Sequence, residues 1–307
     1  MRSLRQTAYL PAMRTQLPLL IIVLITLTLT ARGQGNGPGV RGARAAGLSN
    51  ASVALGGEVW AMGNNVAGLG EVSAPAVGFY AENRYFSSAL NVAALSVALP
   101  MGPLLPGSTA SQPQRAKNGV VGLEAQRFGG RLYNETRLGL GYGYRFGLIS
   151  LGGRVDVLQV SIEGLGSRRV VLGSLGGQVE VVPGRLTFGA ALYNLNQARL
   201  ASYQDERVPT VLKAGLAFRP TPQVTLLAET EKDVERDANF KAGLEYRPVT
   251  ILAARVGVAS LNEQVSAGLG LLAGSFQLDY AAAYQSALGF SHHLSVVKIW
   301  GKVSNEQ

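Results

Sequence analysis

The 307-residue sequence has no cysteine and only two histidines. Without cysteine there is no disulfide framework, no thiolate zinc site and no thiol nucleophile. His292 and His293 are adjacent. Neighbours on a strand point to opposite faces, so the pair does not converge on one metal ion. No acidic partner for either histidine is evident along the chain, and no G-x-G-x-x-G stands between a strand and a helix to cradle phosphate. The expectation is a non-enzyme with no cofactor, no metal and no catalytic residue. Charge is scarce too, with Asp, Glu, Lys and Arg at 15% of residues. The formal net charge is +9, but residues 1–33 hold four arginines and no acid, so the remainder carries +5. No Lys/Arg cluster interleaved with aromatics appears, which argues against nucleic acid as a partner.

Only one long apolar run exists, LPLLIIVLITLTLTA at residues 17–31. Arg2, Arg5 and Arg14 precede it, and small, turn-forming residues follow from Ala31 to Gly39. That order is the pattern of a secretory signal peptide, expected over residues 1–33. The run is short for a helix that must cross a bilayer with roughly 20 residues. The remaining chain lacks a membrane-helix segment, yet the sequence is 47% hydrophobic and holds 39 glycines. An interior glycine costs a helix about 1 kcal/mol relative to alanine. A large β architecture remains, either a soluble sandwich or a membrane barrel.

Alternation decides between them. Leu138, Leu140, Tyr142, Tyr144 and Phe146 share one face of a strand whose other face carries Arg137, Gly139, Gly141, Gly143 and Arg145. Phe240, Ala242, Leu244 and Tyr246 oppose Lys241, Gly243, Glu245 and Arg247 in the same way. Period-2 alternation over about ten residues, with aromatics towards the ends, suits a strand that faces lipid. Soluble sandwich strands run nearer five or six. About fourteen such segments are expected, near residues 74–84, 88–99, 118–128, 136–146, 148–161, 170–182, 185–195, 209–219, 222–232, 239–248, 249–259, 264–273, 274–284 and 291–300. Every second connection is tight, as at 146–147, 182–184, 219–222, 247–248 and 273–274. The others are mostly longer and polar. Short inner turns alternating with long outer loops mark an outer-membrane barrel. The exception is 101–118, a long Pro-, Ser- and Gln-containing segment where a short turn is expected. The fold class is thus all-β: a transmembrane antiparallel β-barrel of about 14 strands over residues 73–300, with a short tail at 301–307, in the cell outer membrane.

Residues 39–72, GVRGARAAGLSNASVALGGEVWAMGNNVAGLGEV, do not alternate. Small residues dominate and Trp60 is the one large aromatic, so the segment suits compact packing inside a pore. Its words, ARAAGLSNASVAL from Ala43 to Leu55, then Trp60 and Asn64-Asn65-Val66-Ala67-Gly68-Leu69, resemble the N-terminal signature of the FadL-like outer-membrane superfamily, and most closely its Bacteroidetes PorV/PorQ branch. The stretches YNET (133–136), DERVPT (205–210), ETEKD (229–233) and LGFSHHLS (288–295) look PorQ-like. The sequence departs from the FadL-like motif at Val66, where proline is usual. The resemblance implies a 14-stranded barrel with residues 34–72 folded inside as a hatch, and Trp60, Asn64, Asn65 and Gly68 as the hatch motif. It also implies an accessory role in protein secretion, with type IX secretion components or cargo as partners. The alternative is a FadL-like transporter of a hydrophobic small molecule.

Thirteen charged residues fall opposite apolar neighbours along their strands, among them Glu124, Arg137, Arg145, Arg154, Glu231 and Arg255. Hairpin arithmetic with a turn centred near Thr221 sets Lys213 opposite Glu229, and a loop centred near 234–235 brings Glu229 to Lys241. The row Lys213, Glu229, Lys241 reads either as a polar conduit or as a salt-bridge ladder that fills the barrel and holds the hatch. Arg84, Arg131, Arg168, Arg169, Arg199, Arg207 and Arg236 are expected in outer loops. There guanidinium groups pair well with phosphate, which makes outer-membrane lipid and lipopolysaccharide expected partners.

Overall fold

The computed structural model describes residues 37–105, 115–200, 206–234, 236–261 and 263–300. The expected signal peptide at 1–33, the tail at 301–307 and the middle of the 101–118 segment lie outside them. The strands are β1 (Ala76–Arg84), β2 (Val92–Pro100), β3 (Leu104–Leu105), β4 (Arg115–Ala116), β5 (Val120–Gly129), β6 (Tyr133–Phe146), β7 (Ile149–Ile162) and β8 (Gly166–Val182). They continue with β9 (Leu186–Tyr193), β10 (Val211–Thr221), β11 (Val224–Asp233), β12 (Asn239–Val249), β13 (Leu252–Ala259), β14 (Gln264–Ala273), β15 (Phe276–Gln285) and β16 (Gly289–Ile299). All but β3 and β4 form one closed barrel of 14 antiparallel strands, each bonded to its sequence neighbours, with β1 joined to β16. β3 and β4 pair with each other as a small hairpin between β2 and β5.

Closure satisfies every strand edge within the wall, as lipid requires. Side-chain alternation then sorts the barrel into two surfaces. In β6, Leu138, Leu140, Tyr142 and Tyr144 are exposed on the outside, while Arg137, Gly139, Gly141 and Gly143 turn inward. Exposed apolar residues such as Leu151, Val155, Leu216, Val256 and Leu269 continue this outer face around the barrel. So large a contiguous apolar surface is not found on soluble monomers; against acyl chains it is the matching surface. Exposed aromatics gather at both ends of the wall: Phe146, Phe218, Tyr246, Phe276 and Trp300 at the short-turn end, Phe86, Phe240, Tyr284 and Phe290 at the loop end. Such paired girdles mark the two membrane interfaces. The protein is an outer-membrane β-barrel.

All fourteen expected strands are present, and their edges move by a few residues. β8 begins at Gly166 rather than near 170, so Arg168 and Arg169 stand on the strand and not in a loop. Residues 166–169 of β8 are Gly-Ser-Arg-Arg, so apolar alternation gives no signal there. β9 ends at Tyr193, two residues early, because Asn194 adopts a left-handed φ of 56°.

The outer face makes a direct prediction. Leu140 lies near the middle of β6 and is 57% exposed. Leu140→Arg should destabilise the barrel by about 2–4 kcal/mol in urea titrations from lipid vesicles, the cost of a cation near the bilayer midplane. A loss below about 0.5 kcal/mol would mean that this face does not contact lipid.

Candidate functional site: the plugged lumen

The segment before β1 is compact because its residues cannot do otherwise. Small side chains allow close turns, and short helical pieces satisfy the backbone locally: Ala43–Ala46, Ala61–Asn64 and a 3-10 turn at Val66–Glu71. Asn65 caps the last of these, its Oδ1 accepting from Ala67 N at 3.2 Å. Its Nδ2 donates to Val53 O at 2.6 Å and reaches Gly177 O and Ala190 O in the wall. Asn64 and Arg41 exchange two bonds, Arg41 N to Oδ1 and Nδ2 to Arg41 O. Trp60 is buried edge-on to Tyr80 of β1, with centroids 6.0 Å apart, over Gly42 and Gly78. Gly68 lies where a Cβ would stand 2.9 Å from Leu55 O. The hatch motif residues therefore fold the segment on itself and, through Trp60 and Asn65, against the wall. Segment and barrel fall within one compact unit, Gly35–Gln307.

The wall meets the segment with glycine. Gly143, Gly152 and Gly176 are register partners across β6, β7 and β8. A Cβ on Gly152 would stand 2.6 Å from Val66 C and O, and one on Gly143 2.7 Å from Gly70 N. Across the lumen, Gly243 and Gly257 pair and receive Leu48, whose carbonyl carbon would be 2.4 Å from a Cβ on Gly257. At Gly143, Gly152 and Gly257 backbone lies on backbone, while Gly176 faces the Asn65 amide and Gly243 the Leu48 side chain.

Charge supplies the remaining contacts. Arg44 grips Glu245 of β12 with two bonds of 2.8 and 2.9 Å and also holds Glu58 at 3.0 Å. Arg255 joins the same Glu245 to Asp279. Glu71 pairs with Arg145 at 2.9 Å, and Arg154 donates to Met62 O while holding Glu124 and Asp156. Ser49 N and Oγ both lie 2.8 Å from Ser266 Oγ. Burial opposes the charge on Arg44, but Glu245 and Glu58 outweigh it and raise its pKa above the ordinary arginine value. Burial pushes the Glu71 carboxyl up, against the pull of Arg145.

The charge row needs one correction. Lys213 lies opposite Glu231, not Glu229, and its Nζ is 3.3 Å from Glu231 Oε2. The β10–β11 turn is centred one residue later than the arithmetic assumed, and the ladder slips between Phe218 and Thr221. Glu229 is the register partner of Lys241, at 3.1 Å, and its other oxygen accepts Ser52 N and Val53 N at 2.7 and 2.8 Å. The ion pairs thus run Lys213–Glu231–Lys241–Glu229, and Glu229 joins the row to the hatch backbone. His293 faces the lumen and bonds Tyr80 Oη at 2.9 Å, whereas His292 faces outward to Tyr280 Oη. Of the arginines expected in loops, Arg84 turns back to Glu82 at the end of β1, and Arg131, Arg168, Arg169, Arg199, Arg207 and Arg236 are exposed.

Above the hatch, on the loop side, a cavity of about 220 Å³ is lined by Tyr80, Glu82, Arg84, Lys213, Glu231 and His293, among others. A recess of about 40 Å³ adjoins it through Pro38, Val211 and Lys213. Sequence reasoning passed over the glycine wall and the hatch charges Arg41, Arg44 and Glu71. The signal for the wall was present in the alternation of Gly139, Gly141 and Gly143 with large apolar residues.

No family model and no curated protein matches the sequence. Solved structures of similar fold include a CymD monoaromatic hydrocarbon channel, at TM-score 0.62 and 13% identity over 86% of this chain and 98% of that one. Another is the P. putida toluene transporter TodX, at TM-score 0.58 and 11% identity over 83% and 98%. At these identities the likeness is one of fold.

Two adjacent glycines separate the hatch contact from strand stability. Gly152→Ala forces a Cβ into the Val66–Ala67 backbone, whereas on Gly153 the nearest atom is Leu175 Cδ2 at 3.7 Å. Gly152→Ala should lower stability by about 1–3 kcal/mol, the overpacking cost, and raise conductance in planar bilayers. Gly153→Ala should leave both unchanged. Equal behaviour of the two variants would show that the segment does not press on this wall.

Proposed function

We propose that this barrel is a hatch-gated uptake channel of the FadL-like type, taking a small molecule across the outer membrane. One observation carries the reading: the lumen is filled midway by the chain's own N-terminal segment, while a cavity above it faces the loop end. A plug of this kind suits a conduit that must stay closed to ions and open to one class of solute. The similarly folded CymD and TodX, described as a hydrocarbon channel and a toluene transporter, support an uptake role at the level of architecture. Exposed arginines at the loop end support contact with the phosphate groups of lipopolysaccharide.

A second reading, a PorV/PorQ-like accessory of type IX secretion, draws support from the order of the N-terminal words and from the long β3–β4 connection at the short-turn end. Working surfaces differ between the two. An uptake channel depends on hatch and lumen, an accessory on its rims. Residues 103–116 should therefore be shortened to a tight turn and compared with a gene deletion in the same host. Uptake of labelled small aromatic, fatty and hydroxylated acids should fall in the deletion and persist in the shortened variant, with secreted cargo unaffected in both. Loss of cargo release from the shortened variant, with uptake intact, would replace the channel reading by the secretion one.

A further inference from the structure

The recess beside the hatch holds a set of polar atoms that the protein leaves unmatched. Its lining includes Glu124 of β5, Arg137 of β6, Ser174 of β8 and Tyr193 of β9. Glu124 Oε2, Arg137 Nε, Ser174 Oγ and Tyr193 Oη are buried and have no hydrogen-bond partner among the described residues. Glu124, Arg137 and Ser174 are each more than nine-tenths buried. Groups left in this state cost stability unless something in the cavity meets them.

The charges are unequal in their neutralisation. Arg154 is held by Glu124 and Asp156, and Lys213 by Glu231. Arg137 has no carboxylate at ion-pair distance among the described residues. It donates to the carbonyl oxygens of Gly37 and Pro38 and lies 5.3 Å from the centre of the Tyr193 ring. A buried cation capped only by carbonyls and a π-face attracts an anion. Local geometry explains why the hydroxyls are unused. The β8–β9 ladder stops at Leu175–Leu192, so Ser174 and Tyr193 stand just past its end, where Asn194 turns the chain away.

Volume narrows the ligand. The recess of about 40 Å³ has room for roughly three water-sized groups, which is the size of a carboxylate head. The adjoining cavity of about 220 Å³ carries carboxylates, amines and the guanidinium groups of Arg84 and Arg236 on its walls. An apolar tail there would strip water from these groups without replacing its hydrogen bonds. We infer that the recess binds the carboxylate of a small hydroxylated acid, with Arg137, Ser174 and Tyr193 donating to the carboxylate and Glu124 accepting from a neighbouring hydroxyl, while the hydroxylated body fills the cavity above. This rests on the uptake reading and names its substrate class.

Three probes of similar length test it by isothermal titration on the detergent-purified barrel: gluconate, sorbitol and hexanoate. Gluconate should bind, and the other two should bind at least tenfold more weakly. Ser174→Ala and Tyr193→Phe remove hydroxyls without a protein partner, so a purely structural role predicts no change in gluconate binding. A ligand role predicts a loss of about tenfold for each, the size of one charge-assisted bond. Arg137→Gln should abolish binding, and the two hydroxyl variants keep the test valid if that variant does not assemble. Sorbitol binding as well as gluconate would remove the carboxylate from the proposal. Preferred binding of hexanoate would overturn the substrate class and leave hatch-gated uptake standing. Binding of none of the three, with both hydroxyl variants unchanged, would mean that water alone fills the recess; uptake measured in cells would still decide the channel reading separately.

Discussion

Everything in this barrel depends on how closely the hatch backbone approaches the wall. A 14-stranded barrel encloses more space than its own inward side chains fill. Here the space is taken by a second layer of chain, and two backbones can lie in contact only where no Cβ intervenes. Glycine in a strand gives up packing and adds entropy cost. At Gly143, Gly152, Gly176, Gly243 and Gly257 that loss is offset by burying the hatch against the wall. The resulting fit is steric and local, so it fixes the hatch in one position.

Electrostatics follows from the same arrangement. Charged groups turned into a lumen lose water when the hatch is seated, and such desolvation is expensive unless partners are present. The partners come from both layers. Arg44 of the hatch bridges to Glu245, Glu71 meets Arg145, and Glu229 accepts two hatch N–H groups while holding Lys241. Arg145, Glu229 and Glu245 also have partners within the wall, in Glu180, Lys241 and Arg255, so the hatch joins a charge network that the barrel itself carries. Where the pairing stops, at Arg137 and the end of the β8–β9 ladder, the lumen keeps unmatched polar atoms and a cavity.

Architecture was legible in the sequence to a large degree. Alternation such as Leu138–Gly139–Leu140–Gly141 is a direct imprint of a wall with lipid on one side, and the strands it marked are all present. Registers were less legible. A tight hairpin fixes its partners to within a slip of a residue or two, and the slip near Phe218 moved Lys213 from Glu229 to Glu231. The recess was invisible for a deeper reason. It brings together residues from β5, β6, β8 and β9 whose only relation is closure of the barrel, and two of them, Ser174 and Tyr193, stand where the β8–β9 ladder ends. Long-range closure and the point where pairing fails are tertiary facts, and no local pattern encodes them.

Residues 39–72 are seated inside the barrel with Ser49 against the inner face of β14. With no native cysteine, the chain permits a clean test by cross-linking. Ser49 Oγ and Ser266 Oγ are 2.8 Å apart, and Val265, the next residue along, points outward. Ser49→Cys with Ser266→Cys, oxidised in native outer membranes, should form a disulfide detected as a reducible shift after boiling in SDS, while Ser49→Cys with Val265→Cys should form none. Failure of the first pair to cross-link in an assembled barrel, or equal cross-linking of both, would contradict a hatch seated in the lumen.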